Sequence, residues 1–577
     1  MMKRRVDSWR LALLVGIPLA IFAVIGYRVL TVAYVHHADY SSQLARLRST
    51  SGKELVRGAI TLTDQDGIDG HVVATTKGFP ILTVHANAIP SQERERASRL
   101  VRDLADVSEE QAHERVYADS DLALPIGEYL DEQEWETYRE ADMPGLDVVQ
   151  VTDRFYPDGV LAADVIGFFG FDPQGRHGQY GVEAFYEQEL AGRTERTGGI
   201  SARGLITSLF GLLGLSDEPA RVARTVASDV VLTLDRNVQA FAEETLEAVL
   251  ERYDASAGSV IVQDVTTGAL VAMADSPSFD PNRYGLAPAE AYLNAPAQRA
   301  FEPGSSFKPF TMAIGLDTGV VGANTTYTDT GSTQVAGYTI RNFTNEPFGT
   351  VTMSQVLEKS INTGTMFVQR RVGNDQFLEY LINFGFGQRT GIDLPGEATG
   401  NLSNLYTGRA INFQTASFGQ GISVTPVQLA MGYSAIANGG TLLRPYVVER
   451  IISDGEVTYR AEPEVVGIPI RTTTAADLRT MLTGVVDRGF DKARIPRYHV
   501  AGKTGTAQIA DPQGGYLEDE YIHSFAGFIP STDDARFTIV IVMERPQGVT
   551  FASDSLSSVF KDIAQFLINY YRIPPTR

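Results

Sequence analysis

Phe301-Glu302-Pro303-Gly304-Ser305-Ser306-Phe307-Lys308-Pro309-Phe310 sets a serine and a lysine three residues apart behind a Pro-Gly turn. On a helix that spacing puts both side chains on one face, with Cβ atoms roughly 5–6 Å apart, so the Lys308 amine can reach the Ser305 hydroxyl. A serine-lysine pair is one way to activate a serine without histidine. Taken alone the spacing is weak, because Ser558-Val559-Phe560-Lys561 repeats it on an amphipathic stretch near the C-terminus. Pro309 adds a local irregularity. It deprives the Ser305 carbonyl of its ordinary helical donor, and it predicts Ser305 at the very start of its helix, facing an open cleft.

The chain downstream of Ser305 separates that serine from Ser558. Glu358-Lys359-Ser360-Ile361-Asn362-Thr363-Gly364 comes next, and Val500-Ala501-Gly502-Lys503-Thr504-Gly505-Thr506-Ala507 lies further on, in an extended stretch before a polar hairpin loop. Read in order these are Ser-x-x-Lys, Ser-x-Asn and Lys-Thr-Gly, whereas almost no chain is left after Ser558. Each of the later motifs has an ordinary reading by itself: Ser360 and Asn362 as a helix-cap pair, residues 503–505 as a turn. Their order behind Ser305 makes that serine the candidate nucleophile.

Around these motifs the pattern predicts one α+β domain over residues 229–577. Residues 230–234 read as a strand, followed by a helix whose apolar positions Val238, Phe241, Leu246, Val249, Leu250 and Tyr253 keep a helical period. Residues 259–265 and 270–274 read as a hairpin about Thr267-Gly268. Residues 537–543 read as a buried strand, and Leu556, Val559, Phe560, Ile563, Phe566, Leu567 and Tyr570 as a closing amphipathic helix. The sheet is therefore expected to be assembled from both ends of the domain, with a helical middle.

Upstream, residues 1–10 form a basic tail with Lys3, Arg4, Arg5 and Arg10. An uncharged run at 11–27 comes after it, and then Arg28 and a further apolar piece at 29–35. Arg28 can snorkel toward the headgroups, so 11–35 reads as a transmembrane anchor with the N-terminus in the cytoplasm and the rest outside. The run is long for a cleaved signal, and no small-x-small site comes after it. Residues 36–192 read as a pedestal-type domain, helix-rich over 91–141, with no nucleophile and partner. Asp64, Asp66 and Asp69 fail as a calcium loop because Ile68 and Thr75 stand where ligands are needed. Residues 193–228 read as a linker insert. Its apolar core, 204–215, is too short to span a bilayer and is expected to pack on the neighbouring domain or meet a partner or membrane surface.

The 577 residues carry a formal net charge of -21 and no block of Lys and Arg beyond the N-terminal tail, which excludes an extended nucleic-acid surface. With no cysteine there is no disulfide, thiol catalysis or thiolate metal site, and the eight histidines show no ligand spacing, so neither a metal nor a cofactor is expected.

The three ordered motifs resemble those of the penicillin-recognising serine acyl-enzymes. The longer context is similar to class B penicillin-binding proteins over nearly the whole chain. It covers the anchor, Arg57-Gly58-x-Ile60, Arg154-Phe155-Tyr156-Pro157, Gly178-Gln179-Tyr180-Gly181-Val182-Glu183, the Glu302-Pro303-Gly304-Ser305 turn, residues 417–426 (Ser-Phe-Gly-Gln-Gly-Ile-Ser-Val-Thr-Pro) and the Lys503 motif. The resemblance implies an anchor, an elongated pedestal and a β-lactamase-like transpeptidase domain, an antiparallel sheet packed with helices. The activity it implies is a D,D-transpeptidase that cross-links peptidoglycan stem peptides at D-Ala-D-Ala ends and is acylated by β-lactams. Ser305 would be the nucleophile, Lys308 would take its proton, Ser360 would relay a proton to the leaving amine, and the Asn362 amide would hold the peptide. Lys503 would supply positive charge, while Thr504 and Thr506 would bind the terminal carboxylate and Gly505 would allow close approach. More than one group in such a site can serve as the acylation base. The backbone N–H groups of Ser305 and Thr506 would face the oxyanion. No glycosyltransferase domain fits between the anchor and Asp229, so the family implies a polytopic glycosyltransferase and division-complex proteins as partners. Glu302 and the 525–530 region lean toward the division branch over the elongation branch. A D,D-carboxypeptidase or β-lactamase-like hydrolase would share the acylation and pass the acyl group to water. A non-catalytic scaffold of the cell-wall synthesis complex would use only the anchor and pedestal.

Overall fold

A computed structural model describes residues 56–65, 70–120, 122–172, 175–194, 225–489, 491–511 and 514–577. The expected anchor at 11–35 and nearly all of the 193–228 insert lie outside them. Among the described residues no helix is long and apolar enough to cross a membrane.

The described chain forms two compact units, residues 77–153 and residues 56–76 with 154–577, so the stretch expected to form a pedestal divides between them. The smaller unit carries helices Arg94–Ala105, Glu109–Tyr117 and Glu132–Ala141, in the stretch expected to be helix-rich. Ser108 and Asp131 start two of these helices with reciprocal capping boxes, satisfying backbone N–H groups that a helix start leaves free. Leu82, Val84, Val101, Leu104, Val116, Leu130 and Leu146 close its core.

The larger unit opens with strand β1 (Ile60–Thr63). The chain later enters β2 (Ser228–Asp235) and helix α1 (Arg236–Arg252), where the Asp235 carboxylate caps the helix by accepting from the N–H groups of Asn237 and Val238. Strands β3 (Ala257–Asp264) and β4 (Leu270–Ser276) form the expected hairpin. The middle is helical and includes α2 (Lys308–Asp317), α3 (Asn362–Val372) and α4 (Pro426–Ala437). Strands β5 (Val448–Ser453) and β6 (Glu456–Arg460) precede β7 (Ala501–Ala510), β8 (Tyr516–Ile529) and β9 (Phe537–Glu544), and α5 (Ser557–Tyr570) closes the fold.

The central sheet has five strands in the order β4-β3-β9-β8-β7, all antiparallel, so strands from both ends of the domain meet in one sheet as the hydrophobic pattern predicts. On one face α1 and α5 cover it through Val238, Leu246 and Val249 with Phe560, Ile563 and Leu567. The other face belongs to a larger core. There α4, buried along its whole length, packs with Phe307, Phe310 and Phe386 around Tyr433. A helix apolar on every side is the kind that can sit at a core's centre.

A second sheet runs β6-β5-β2-β1, with β1 parallel to β2 through the Ile60↔Val230 pair. Beside it, three segments with no obvious chemistry of their own converge. The Glu183 carboxylate, fully buried, accepts from Nε of Arg57 at 2.7 Å, Nε of Arg154 at 2.7 Å and the Tyr156 hydroxyl at 3.1 Å. Burial alone would raise its pKa, but the Arg154 and Arg57 guanidiniums outweigh burial and hold it below the usual range. The residues Arg57, Arg154 and Glu183, more than a hundred positions apart at the extremes, thus form one ion cluster.

Candidate active site

Residues Gly304–Phe307 form a single 3-10 turn that leads into α2. At three residues per turn, positions i and i+3 eclipse, which aligns Ser305 and Lys308 on one edge more closely than an α-helix would. The Ser305 carbonyl is not left free by Pro309: the Lys308 N–H takes it in the tighter 3-10 pattern. The next carbonyl, of Ser306, accepts from the Tyr433 hydroxyl of α4 at 2.7 Å. Ser305 therefore sits at the start of its helix, half-buried, on the wall of a cleft of about 350 Å³, as its sequence setting predicts.

Gly304 has φ +54°, a left-handed conformation that a side chain would strain, and a Cβ there would lie 3.1 Å from the Thr506 carbonyl oxygen. The loop at 417–424 braces the same turn. Phe301 and Val424 exchange backbone hydrogen bonds at 2.9 and 3.0 Å, the Gly304 N–H donates to the Gly419 carbonyl at 3.0 Å, and the Thr311 hydroxyl donates to the Ser417 carbonyl at 2.8 Å. Glu302 joins this brace, accepting from the Gly421 N–H at 3.1 Å and the Tyr516 hydroxyl at 3.0 Å. Sequence reading singled out this loop only as a resemblance. Its bracing role depends on contacts between residues more than a hundred positions apart.

Lys308 is fully buried beneath the cleft, and its Nζ donates to the Ser360 carbonyl at 2.5 Å and lies 3.1 Å from Oγ of the same residue. Ser360 can offer both oxygens because it adopts φ +54°, a conformation costing about 1–3 kcal/mol for a non-glycine residue. The helix-cap reading of Ser360 and Asn362 does not hold. Ile361 occupies the N-cap position of α3 without a side-chain bond, and Asn362 is the first helical residue, its Nδ2 donating to the Arg341 carbonyl at 3.0 Å.

Lys503 on β7 is also fully buried, and burial lowers its pKa to about 7. Burial first, and then the charge of Lys503, push the Lys308 amine well below its ordinary range, toward the neutral base. At Gly505 β7 passes close against the turn that carries Ser305: a Cβ there would fall 2.5 Å from the Pro303 carbonyl oxygen and 2.3 Å from Oγ of Ser524. Thr504 and Thr506 both line the cleft. Oγ1 of Thr506 accepts from the Ala552 N–H at 3.0 Å, which leaves its own proton for another acceptor.

All eight sequence-predicted residues thus meet at one place: Ser305, Ser360, Asn362, Thr504 and Thr506 on the cleft, Lys308 and Lys503 beneath it, and Gly505 against the turn. Ser558 does not join them. It lies on α5, in a depression shared with Phe241 and Arg252 of α1. The cleft is also lined by Phe343, Phe348, Phe418 and Phe551, with the Phe343 and Phe551 rings 5.1 Å apart at its mouth. Phe418 belongs to the 417–426 stretch that resembles the family, whereas Phe343, Phe348 and Phe551 carry no motif by which sequence could single them out.

Residues 258–565 match the family model of the penicillin-binding protein transpeptidase domain, and residues 56–198 match the penicillin-binding protein dimerisation domain. Stage V sporulation protein D of Bacillus subtilis is 30% identical over 513 residues, covering 87% of this chain and 77% of that protein. The peptidoglycan D,D-transpeptidase FtsI of Escherichia coli is 28% identical, covering 98% and 93% respectively. Among solved structures, penicillin binding protein 3 of Mycobacterium tuberculosis complexed with aztreonam superposes with a TM-score of 0.68 at 26% identity, over 91% of this chain and 98% of that one. A Ser-x-x-Lys turn, a Ser-x-Asn motif and a Lys-Thr-Gly strand gathered at one cleft, within these matches, place the chain in the class B penicillin-binding proteins, the peptidoglycan D,D-transpeptidases.

Proposed function

We propose that the protein cross-links peptidoglycan stem peptides in septal wall synthesis, held in the cytoplasmic membrane by residues 11–35 with its N-terminus in the cytoplasm and residues 36–577 outside. The observation that carries the catalytic reading is the buried Lys308 amine bonded to both oxygens of Ser360 one turn from Ser305. Neutral Lys308 takes the proton of Ser305 as Oγ bonds to the penultimate D-Ala carbonyl carbon. Ser360 passes its proton to the departing terminal D-Ala, whose C–N bond breaks, and takes the proton held by Lys308 in return, which leaves Lys308 neutral again. The amine of a second stem peptide then attacks the ester, forming the cross-link and returning the Ser305 hydroxyl with its proton. N–H groups of Ser305 and Thr506 face the oxyanion, each donor of this kind being worth about 3 kcal/mol of barrier. The Asn362 amide holds the peptide backbone, and Thr504 and Thr506 bind the terminal carboxylate beside the charge of Lys503. The same acylation would form a covalent complex with β-lactams.

The septal assignment rests on Glu302 ahead of Pro303 and on the 525–530 region. Cross-linking needs a glycan strand to act on, and the partner that makes it is read as a polytopic glycosyltransferase gripped by the anchor and pedestal, together with division-complex proteins. The insert at 193–228 is read as an interdomain connection with a contact surface for a neighbour. The test is the product formed from a defined pentapeptide donor and an amine acceptor by the full-length protein. Cross-linked dimer with release of D-Ala is expected, and tetrapeptide hydrolysis product alone would favour a carboxypeptidase.

A further inference from the structure

Beneath one wall of the cleft lies a polar node that none of these steps uses. Asp329, 2% exposed, accepts four hydrogen bonds. Oδ1 takes the Thr363 hydroxyl at 2.5 Å and the Gly331 N–H at 3.2 Å, and Oδ2 takes Nδ2 of Asn342 at 2.9 Å and the Phe348 N–H at 2.8 Å. Asn342, 3% exposed, turns its Oδ1 back to the Thr363 N–H at 3.2 Å, and that oxygen lies 3.0 Å from the Thr363 hydroxyl, whose single proton goes to the nearer, charged acceptor. Four donors converging on one carboxyl require its ionised form. Burial alone would push its pKa up, but the hydrogen bonds from Thr363, Phe348, Asn342 and Gly331 outweigh burial and hold it below the usual carboxylate range.

The node lies one residue behind each end of a contact in the active site. Thr363 comes directly after Asn362 and Asn342 directly after Arg341, and Nδ2 of Asn362 donates to the Arg341 carbonyl. Arg341, Asn342, Phe343, Thr344 and Phe348 all line the cleft. A carboxylate that binds both this wall and the first turn of α3 sets their mutual register. An error of about 1 Å in that register can cost about a hundredfold in rate.

We propose that Asp329 is a positioning residue for the reaction: through Thr363 and Asn342 it locks the wall at 341–348 to the start of α3 and so places the Asn362 amide for the acyl donor. The inference rests on the transpeptidase reading above. Its test uses the full-length protein carrying Thr363→Val, Thr363→Ser or Asp329→Asn. The second-order acylation rate by a fluorescent penicillin is measured per titrated active site, beside the saturating acylation rate and the melting temperature.

Thr363→Val removes one hydroxyl at constant shape and is expected to lower the per-site acylation rate between about ten- and a hundredfold, at saturation as well as below it. Thr363→Ser keeps the hydroxyl and restores the wild-type rate. Asp329→Asn turns an amide N–H₂ onto other donors and loses at least as much as Thr363→Val. If Asp329→Asn does not fold, the Thr363 pair alone decides. A Thr363→Val protein that acylates at the wild-type per-site rate, with only its melting temperature lowered, overturns the proposal, as does an equal loss in Thr363→Val and Thr363→Ser. Wild-type protein that takes up no penicillin at all overturns instead the reading of the site on which the proposal rests.

Discussion

Ser305→Ala is expected to abolish covalent uptake of β-lactam and all cross-linking, while Ser558→Ala leaves both at wild-type level. The loss is complete because the intermediate is a bond to Oγ of residue 305, and no other group can carry it. The substitution removes one oxygen from a half-buried position on the cleft wall, and the brace around it is made by neighbours and backbone: Gly304 on Gly419, Tyr433 on Ser306, Ser524 on Ser306. The melting temperature of Ser305→Ala should therefore stay close to that of the wild type, and gel fluorescence beside a thermal melt checks both halves. Ser558 is the internal control because it has the same spacing to a lysine, yet it stands on α5 against α1, away from Ser360 and Lys503.

Lys308→Ala should fold and bind but acylate slowly, losing about 10²–10⁴ in rate, the usual range for a positioned general base. The wild-type pH profile of second-order acylation carries the same signature. In the proposed role Lys308 must be neutral to accept the Ser305 proton, and burial together with Lys503 has moved its pKa well down, so activity is expected to rise as the amine deprotonates. In the proposed role Lys503 must be charged to attract the donor's carboxylate. Its pKa is lowered to about 7, so activity falls as pH rises through that value. The expected curve falls on its alkaline side near neutrality, where Lys503 loses its charge. Stopped-flow acylation across pH checks it. An acylation rate in Lys308→Ala within a few-fold of wild type would remove Lys308 from its role.

The features legible in the sequence are those that depend on local spacing. The strand and helix periods of 236–276 and 537–570 predict three strands of the central sheet and the two helices that cover one of its faces, because one face of each must be apolar to bury it. The ordered motifs singled out Ser305, Lys308, Ser360, Asn362 and Lys503, which the fold gathers at one cleft, because the proposed chemistry needs those residue types whatever surrounds them. Pro309 was legible as a disturbance, and its resolution by a 3-10 bond from Lys308 was not, since the choice between the two turn types is made by packing against α4.

The parts that escaped sequence reading are those made by distant partners. The left-handed backbone of Ser360 leaves no local signature, because serine has no preference for that conformation and the Lys308 amine rewards it from 52 residues away. Asp329, Asn342 and Thr363 carry no pattern in the sequence, and only the fold brings them together as one node. Glu183 with Arg57 and Arg154 is the same case on a longer scale. Sequence could quote the three segments, but only the fold shows that they meet.

Everything proposed for the cleft depends on Ser305 carrying the acyl group, and mass mapping of the wild-type protein after reaction with a β-lactam decides that point. One adduct is expected, on the peptide containing Ser305 and on its hydroxyl. An adduct on Ser558, Ser360 or any other residue, with the Ser305 peptide unmodified, would contradict it.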